Sequence, residues 1–224
     1  MVRQRTVWRG ERLAEIKGQE LSPIDRFFQT EVCLKEQQAR ILSAAAKALS
    51  KRGYVATTVS DIVALAHASK STFYKHYPNK KAVLSHLFDL VSGAVVRRVE
   101  KKLRDYPPTT AKRTYQAIRE YIGMCLTYQE LAKLLLIDTI GFVPELQEKR
   151  EEMMRFFAGI FQRELMMLKT ENEKWIISNA MVGAIHQVVI QSLLSDKQPD
   201  VDHIATILEK MLSKILREES GKGV

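Results

Sequence analysis

The chain has 224 residues, 46% of them hydrophobic and 27% charged, and this composition excludes a wholly disordered protein. The longest apolar stretch, residues 180–190, is interrupted by His186 and Gln187, which argues against a membrane-spanning helix. The first 18 residues lack the apolar core of a signal peptide, so we expect a cytoplasmic protein. The two cysteines, Cys33 and Cys125, make no disulfide framework and agree with a reducing compartment.

The net charge of +9 is distributed unevenly. Residues 1–104 carry 20 Lys and Arg against 9 Asp and Glu, whereas residues 105–224 carry 15 against 17. Ribosomal and histone-like chains are usually basic throughout, so the asymmetry argues against those classes. It predicts a polyanion-binding module followed by a region of another kind.

Helical periodicity runs through the chain, and no segment of four or more residues alternates in the strand pattern between turn signals. We therefore predict an all-α protein. The predicted helices span about 34–52, 59–66, 70–76, 80–104, 110–127, 129–140, 145–169, 172–195 and 200–219. Gly53 is expected to end the first, and Pro107-Pro108 to mark the main domain border after the fourth.

The segment 58–81 contains two short helices joined by a three-residue turn. Thr58, followed three residues later by Asp61, predicts a capping box at the start of the first helix. Ser69 is the predicted cap of the second. Two short helices in this order, with short polar residues on the second, indicate a helix-turn-helix. In this motif the second helix enters the major groove of DNA with its N-terminal residues against the base edges.

Lysines stand in the first turns of two helices, where a positive charge opposes the helix dipole. Lys70 begins one, and Lys80 and Lys81 begin the helix that Asn79 is expected to cap. Each such cation costs ~0.3–1 kcal/mol. A DNA phosphate against these helix ends would turn the cost into a gain, because the amine, the backbone N–H groups and the dipole would all face the anion. The alternative is that all three are solvated lysines whose charge salt screens.

Residues 36–88, about a quarter of the chain, resemble the N-terminal domain of the TetR (tetracycline-repressor) family of bacterial transcription regulators. The motifs that carry the resemblance are Ile41-Leu42-x-Ala44-Ala45, Gly53-Tyr54-x-x-Thr57-Thr58-Val59-x-Asp61-Ile62 and Ala66-x-Ala68-Ser69-Lys70-x-Thr72-Phe73-Tyr74-x-His76-Tyr77-x-Asn79-Lys80. It implies a three-helix DNA-binding domain followed by a helical effector-binding and dimerisation domain. The expected division is an N-terminal extension 1–32, the helix-turn-helix domain 33–80, a connecting helix 81–106 and the C-terminal domain 107–224.

The resemblance also assigns DNA contacts. The expected set is Thr58, Ser69, Lys70, Ser71, Thr72, Tyr74, Lys75, His76, Lys80 and Lys81. Within it, Thr58 and the helix start at Lys80 and Lys81 would hold phosphates, and Tyr74 would also reach the DNA backbone. The residues expected to face bases are Lys70, Ser71, Thr72 and Lys75. Phe73 and Tyr77 would pack inward and fix the recognition helix.

Two features depart from the family pattern. His67 stands where the family usually has glycine, at a turn position expected to need a positive φ, which histidine adopts at some cost. The other is the extension 1–32. Four arginines around Trp8 could form an arm in the minor groove, namely Arg3, Arg5, Arg9 and Arg12. We favour the alternative, an unstructured tail or a small packed helix, because Ser22, Pro23 and Asp25 indicate a helix that begins at Pro23.

The last two predicted helices carry more apolar surface than a monomer needs. Val201, Ile204, Leu208, Met211 and Ile215 repeat at intervals of three and four, as in a coiled-coil seam. The segment 175–194 is apolar nearly all round, with small residues that allow close helix approach. The resemblance implies that helices 172–195 and 200–219 pair with their copies in a homodimer, which would read a palindromic double-stranded DNA operator with half-sites about one turn apart.

Aromatic and thioether side chains gather between the two ends of the chain. They could line a cavity for an apolar effector, because methionine adapts to irregular shapes. The effector-contact candidates are Met124, Phe142, Phe157, Phe161 and His186. The alternative for each is an ordinary core residue, and for His186 a core histidine with its hydrogen bonds satisfied. We expect no cofactor apart from an unknown small-molecule effector.

Catalytic signals are missing from the sequence: it contains no HExxH, GxSxG or Walker motif, and Asp200 with His203 is a weak metal pair without a third ligand. This argues against an enzyme, and the resemblance to the TetR family implies a ligand-responsive transcription regulator, a repressor. One alternative is a ligand-independent architectural or partner-recruiting DNA-binding protein. The other is a helical enzyme or carrier with an incidental basic face.

Overall fold

The protein is described by a computed structural model that covers residues 21–32, 34–107, 111–165, 170–196 and 199–220, without the side chains of residues 164 and 216–220. Within these ranges there are ten α-helices and one π-helical turn, and no β-strand. The helices are α1 (Pro23–Thr30), α2 (Glu36–Ala56), α3 (Val59–Leu65), α4 (Lys70–His76), α5 (Lys80–Leu103), α6 (Ala111–Thr127), α7 (Gln129–Lys133), α8 (Glu145–Glu164), α9 (Glu171–Leu194) and α10 (Val201–Ser220). The all-α prediction is confirmed.

Two predicted helices differ in detail from those observed. α2 is interrupted at Gly53, whose φ of 74° and ψ of 167° leave the helical region before one further turn. The segment predicted as a helix over 129–140 is the short α7 followed by a π-helical turn, Leu134–Asp138. Gly141 then takes a φ of 82°, a backbone conformation that glycine adopts without steric cost.

The chain divides into two compact units. The first comprises the chain up to Ala94 together with Tyr128–Leu146, and the second comprises Val95–Thr127 with the chain from Gln147 onward. The division falls within α5, and a later segment returns to the first unit. The domain borders predicted at residues 33, 81 and 107 divide the chain into consecutive segments, whereas each compact unit combines segments that are separate in sequence. The predicted borders stay predictions.

The helix α1 is part of the first unit. Ile24, Phe27 and Phe28 are buried, and the ring of Phe27 meets that of Tyr128 edge-on at 5.2 Å between centroids. Asp25 accepts hydrogen bonds from the Lys47 ammonium at 2.7 Å and the Ser43 hydroxyl at 3.0 Å.

The capping oxygen of α1 belongs to Ser22, which accepts the Asp25 N–H at 3.2 Å. The extension therefore contains the small packed helix that Pro23 indicates. The arginines proposed for a DNA arm, Arg3, Arg5, Arg9 and Arg12, lie outside the described residues, as do Trp8 and Cys33.

In the second unit α9 and α10 pack against α6. Of the predicted seam on α10, Leu208 is buried inside the protomer with Ala205 and Leu212, whereas Met211 is exposed, as is Ile207. The pairing of this helix with a second copy stays a prediction. Of the described helices, α9 alone is long and apolar enough to span a membrane, a test that core helices of soluble proteins also pass.

Candidate functional site

The start of α3 is organised by the predicted capping box. The Asp61 N–H donates to the Thr58 hydroxyl at 3.2 Å, and the Thr58 N–H donates to Asp61 Oδ2 at 2.8 Å. The Thr58 hydroxyl itself donates to the same carboxylate at 2.7 Å. These hydrogen bonds from Thr58, joined by an ion pair with Arg52, lower the pKa of Asp61. The negative carboxylate also interacts favourably with the dipole of α3, and together these contacts stabilise the start of the helix.

The turn between α3 and α4 has the predicted left-handed residue. His67 has a φ of 47°, which is sterically costly for a residue with a Cβ. The Arg40 guanidinium, from α2, donates to Ala66 O at 2.6 Å and to His67 O at 3.1 Å. Carbonyls at the end of a helix have no partner within it, so Arg40 supplies one for the strained turn.

The recognition helix α4 has one buried and one exposed face. Ser69 caps it and accepts the Thr72 N–H at 3.0 Å. Phe73 is fully buried and Tyr77 is 4% exposed, which confirms that both pack inward. The opposite face is exposed and carries Lys70, Ser71, Tyr74 and Lys75. Neither Lys70 nor Lys75 has a hydrogen-bond or ion-pair partner within the described part of the chain.

At α4, the side chains of three expected contact residues, Ser69, Thr72 and His76, have partners inside the protomer. The Thr72 hydroxyl accepts a hydrogen bond from Ser69 Oγ at 3.0 Å. The His76 ring lies 3.3 Å from the Gln37 side-chain oxygen, on α2. Behind the helix, burial raises the pKa of Tyr77 to about 12, and the Tyr77 hydroxyl lies 2.8 Å from His86 Nδ1.

Lys80, at the start of α5, has hydrogen-bond acceptors inside the protomer. Its ammonium donates to Thr57 O at 2.6 Å and to Tyr54 O, and it lies 4.3 Å from the centre of the Tyr54 ring. Burial lowers the pKa of Lys80. These carbonyl oxygens, which follow the Gly53 kink, give the amine acceptors within the protomer, and a phosphate contact of Lys80 stays a prediction. The start of α5 is capped as predicted, with the Ala82 N–H donating to Asn79 Oδ1 at 2.9 Å.

Lys81 also has a protein partner. Its ammonium pairs with the carboxylate of Glu145, and this hydrogen bond lowers the pKa of Glu145. Both side chains are about half exposed, so the pair is accessible to solvent and to salt. Glu145 is the first residue of α8.

A small apolar cavity lies inside the second unit. Its volume is about 10 Å³, the space of a single water molecule. It is lined by Ala117, Ile118, Tyr121, Met154, Phe157, Phe161, Val182, Ile185 and His186. Two of the lining residues carry polar groups that lie close to each other, the Tyr121 hydroxyl and His186 Nδ1, 3.4 Å apart. Burial and the charge of Arg150 lower the pKa of His186, so the ring is neutral at neutral pH.

The structure brings together three of the five effector-contact candidates: Phe157, Phe161 and His186. Met124 is buried but does not line the cavity. Phe142 is wrong as a cavity residue, because it belongs to the first unit and is 57% exposed. Sequence reasoning missed Ala117, Ile118 and Tyr121 on α6, and Val182 and Ile185 on α9. The signal for them is the spacing of Ala117 and Tyr121, and of Val182 and His186, which puts each pair on one helix face.

The weak metal pair has another role. Asp200 Oδ1 accepts the N–H groups of Asp202 and His203, both at 3.0 Å, as a cap of α10. Among the described residues, no group of three His, Cys, Asp or Glu side chains could hold a metal ion. Cys125 is a buried thiol whose pKa burial raises to about 12, so it is a poor nucleophile.

The chain is similar to known proteins both in its helix-turn-helix and over most of its length. Residues 41–87 match the family described as bacterial regulatory proteins, TetR family. The uncharacterized HTH-type transcriptional regulator YvkB of Bacillus subtilis (strain 168) is 32% identical over 166 residues, which cover 72% of this chain and 80% of YvkB. The chain belongs to the TetR family. The uncharacterized HTH-type regulator YerO of the same organism is 26% identical over 125 residues, which cover 53% of this chain but only 40% of YerO.

Solved TetR-family structures share the fold. The regulator FadR from Bacillus subtilis, in complex with stearoyl-CoA, aligns with a TM-score of 0.68 and 20% identity over 77% of this chain and 96% of FadR. TetR-family regulators bind DNA and act as dimers, and these relatives are transcriptional regulators rather than enzymes. The protein is therefore a DNA-binding transcriptional regulator of this family.

Proposed function

We propose that the protein is a cytoplasmic, homodimeric repressor that leaves its operator when a small apolar ligand enters the second unit. The observation that carries the DNA-binding part is the two-sided recognition helix α4. Its Phe73 side is fixed in the core, and its other side presents Lys70 and Lys75 to solvent. A helix held rigidly from behind positions its exposed side chains for readout of base edges.

The proposed DNA contacts follow from this geometry. Lys70, Ser71, Thr72 and Lys75 would face bases, and Tyr74, 53% exposed, would reach a phosphate. Contacts by Ser69 and His76 remain part of the proposal, although both side chains also have partners in the protomer. Phosphate contacts of the Thr58 hydroxyl and of Lys81 would compete with Asp61 and Glu145. A phosphate contact of Lys80 would compete with the carbonyls of Tyr54 and Thr57.

The proposed dimer interface is an apolar face left exposed on the last two helices. Trp175, Ile176 and Leu194 on α9 are 59%, 50% and 53% exposed, and Ile207 and Met211 on α10 are 47% and 49% exposed. Such exposure of large apolar side chains on two neighbouring helices is typical of an association surface. A two-fold dimer would supply two copies of α4, as a palindromic operator with two half-sites requires.

Ligand release would depend on expansion of the cavity. A space of about 10 Å³ holds no organic ligand, so binding must separate α6, α8 and α9. We propose that this movement is transmitted along α5 and changes the spacing of the two recognition helices. The ligand needs only to bind the released conformation more tightly than the DNA-bound one.

A gel-shift titration against the region upstream of the protein's own gene tests the DNA-binding part. We expect a complex that survives competitor DNA at moderate salt. Thr72→Ala and Lys75→Ala should change the preferred base at one position each, at a cost of about 1–3 kcal/mol per lost contact. Lys112→Ala, which removes an exposed lysine from α6, is the control and should leave base preference unchanged.

A thermal-shift screen of apolar ligands, with stearoyl-CoA included, separates the repressor from a ligand-independent DNA-binding protein. A true effector stabilises the folded dimer and, added to the complex, releases the operator. If DNA binds and no ligand releases it, the architectural alternative is favoured. If no sequence-selective complex forms, the carrier alternative is favoured.

A further inference from the structure

A cleft of about 270 Å³ lies in the second unit beside the end of α5. It is lined by Glu100, Leu103, Arg104, Arg113, Phe156, Ile160 and Arg163. Its floor is apolar, since Leu103 and Ile160 are 3% and 1% exposed. Three guanidinium groups and a single carboxylate face it, so the lining carries a net charge of +2.

The arginines of this cleft differ in how they are held. Arg113 Nη1 donates to Leu103 O at 2.7 Å and to Tyr106 O at 3.0 Å, which fixes its guanidinium at the end of α5. Arg104 and Arg163 are exposed, and among the described residues neither has an ion pair or a side-chain hydrogen bond. The three guanidinium groups could bind an anionic group, and the apolar floor could contact an apolar one. The cleft therefore suits a ligand that is anionic at one end and apolar at the other.

The cleft and the apolar cavity are arranged along the same two helices. On α6, Arg113 lies one turn before Ala117 and two turns before Tyr121 on one helix face, and these last two residues line the cavity. On α8, Phe156 and Ile160 line the cleft, and the residues that follow each of them line the cavity. An elongated ligand lying along α6 would therefore have its charged end at the arginines and its chain in the cavity.

We propose that the effector is an amphipathic anion, a long apolar chain ending in a phosphate or carboxylate, and that Arg104, Arg113 and Arg163 bind its charged end. This inference rests on the proposed function and names the chemical class of the ligand. The cleft already has room for a charged group, whereas the cavity is too small for an apolar chain. The charged end therefore binds first, and the apolar chain then drives the separation of α6 and α8.

Isothermal titration calorimetry on the full-length protein, without DNA, tests the proposal with stearoyl-CoA, stearate and coenzyme A. The double variant Arg104→Gln/Arg163→Gln should weaken binding of the chain-bearing anion by about tenfold or more, because charge-assisted hydrogen bonds are lost. Both side chains are exposed, so the variant should keep the wild-type melting temperature. Binding to wild type should weaken as salt is added, and binding to the variant should depend on salt much less.

The matched control is Lys101→Gln/Lys112→Gln, which removes two exposed charges of the same unit that do not line the cleft. It should bind the ligand within about twofold of wild type, because its lost charges are solvated. Arginine-dependent binding of stearoyl-CoA but not stearate identifies phosphate as the charged end, and the reverse identifies carboxylate.

Equal affinity of the arginine variant and wild type, or no binding of either chain-bearing probe to wild type, would overturn the proposal. A gel shift without ligand, run in parallel, reports on the repressor function separately. If the same ligand concentration still releases the arginine variant from its operator, the cleft is not the binding site of the charged end. The proposed repressor function would then still stand.

Discussion

Energetically unfavourable groups have partners within the protomer in the helix-turn-helix, but are left exposed to water on the face of α9 and α10. In the first region, an amine at a helix start and a histidine in the left-handed conformation each have a partner in the same protomer, the carbonyls of Tyr54 and Thr57 for Lys80 and the guanidinium of Arg40 for His67. In the second region, large apolar side chains such as Trp175 and Met211 stay in contact with water. The DNA-reading geometry is thus completed within one chain, whereas the apolar face is left for a second copy to cover, as the proposed dimer requires.

The largest effect is expected where that second surface is blocked. A Cβ at Gly183, on the exposed side of α9, would have no atom within 4 Å, so Gly183→Leu should leave the protomer folded. In the proposed dimer the added side chain would hold the two copies apart. Sedimentation should show monomers, and operator affinity should fall by about 100-fold or more because both half-sites can no longer be bound together.

Gly159→Leu is the control for this substitution, since an added Cβ there also meets nothing within 4 Å and the residue lies on α8. It should remain dimeric. A Gly183→Leu protein that still sediments as a dimer would place the interface on another surface.

The next largest effect is expected on stability, when the hydrogen bonds of Lys80 within the protomer are removed. Lys80→Met keeps the aliphatic stem and removes the amine, leaving the Tyr54 and Thr57 carbonyls without their donor. We expect the free energy of unfolding to fall by about 2 kcal/mol, measured by urea denaturation. Lys81→Met removes an exposed ion pair instead and should cost about 0.5 kcal/mol or less. Equal losses for the two variants would contradict the distinction between them.

A smaller effect is expected at the turn. Arg40→Ala removes two hydrogen bonds to the carbonyls of Ala66 and His67. Operator affinity should fall by about tenfold, since one such bond contributes about 1 kcal/mol and the turn sets the angle of α4. His67→Gly relieves the positive φ of 47° and should restore part of the affinity when combined with Arg40→Ala. If glycine restores nothing, Arg40 does not compensate for strain at His67.

The smallest effect is expected at Glu145, the partner of Lys81 that a DNA phosphate would have to displace. Glu145→Gln removes the charge that pairs with Lys81. Operator affinity should rise by about two- to threefold, as expected for loss of an exposed ion pair. The salt dependence of binding should also steepen, and Lys81→Ala should then lower its slope by about 1. An affinity that does not change with Glu145→Gln would mean that Lys81 takes no part in phosphate binding.

The parts of the fold that local spacing determines could be predicted from the sequence. Thr58 with Asp61, Ser69 with Thr72 and Asn79 with Ala82 are capping contacts across three residues, and all are present as expected. A cap depends on a side chain and a backbone group in the same turn, so no distant part of the chain affects it.

Features that depend on distant parts of the chain could not be predicted in the same way. The carbonyls that accept from Lys80 belong to Tyr54 and Thr57, 26 and 23 residues earlier, at the end of α2 after the Gly53 kink. The cavity needs α6, α8 and α9 to meet, which helical periodicity does not specify. Aromatic composition alone makes Phe142 a cavity candidate, yet it does not tell which residues a fold brings together.

The π-helical turn Leu134–Asp138 constrains how the length of this segment can evolve. A π turn accommodates one residue more than an α-helical turn, and its first three residues, all leucine, are buried. Deleting one residue from this turn would restore the α-helix and rotate the chain after it by about 100°. Glu145 would then no longer reach Lys81. The segment is therefore expected to accept changes of residue type among relatives much more readily than changes of length.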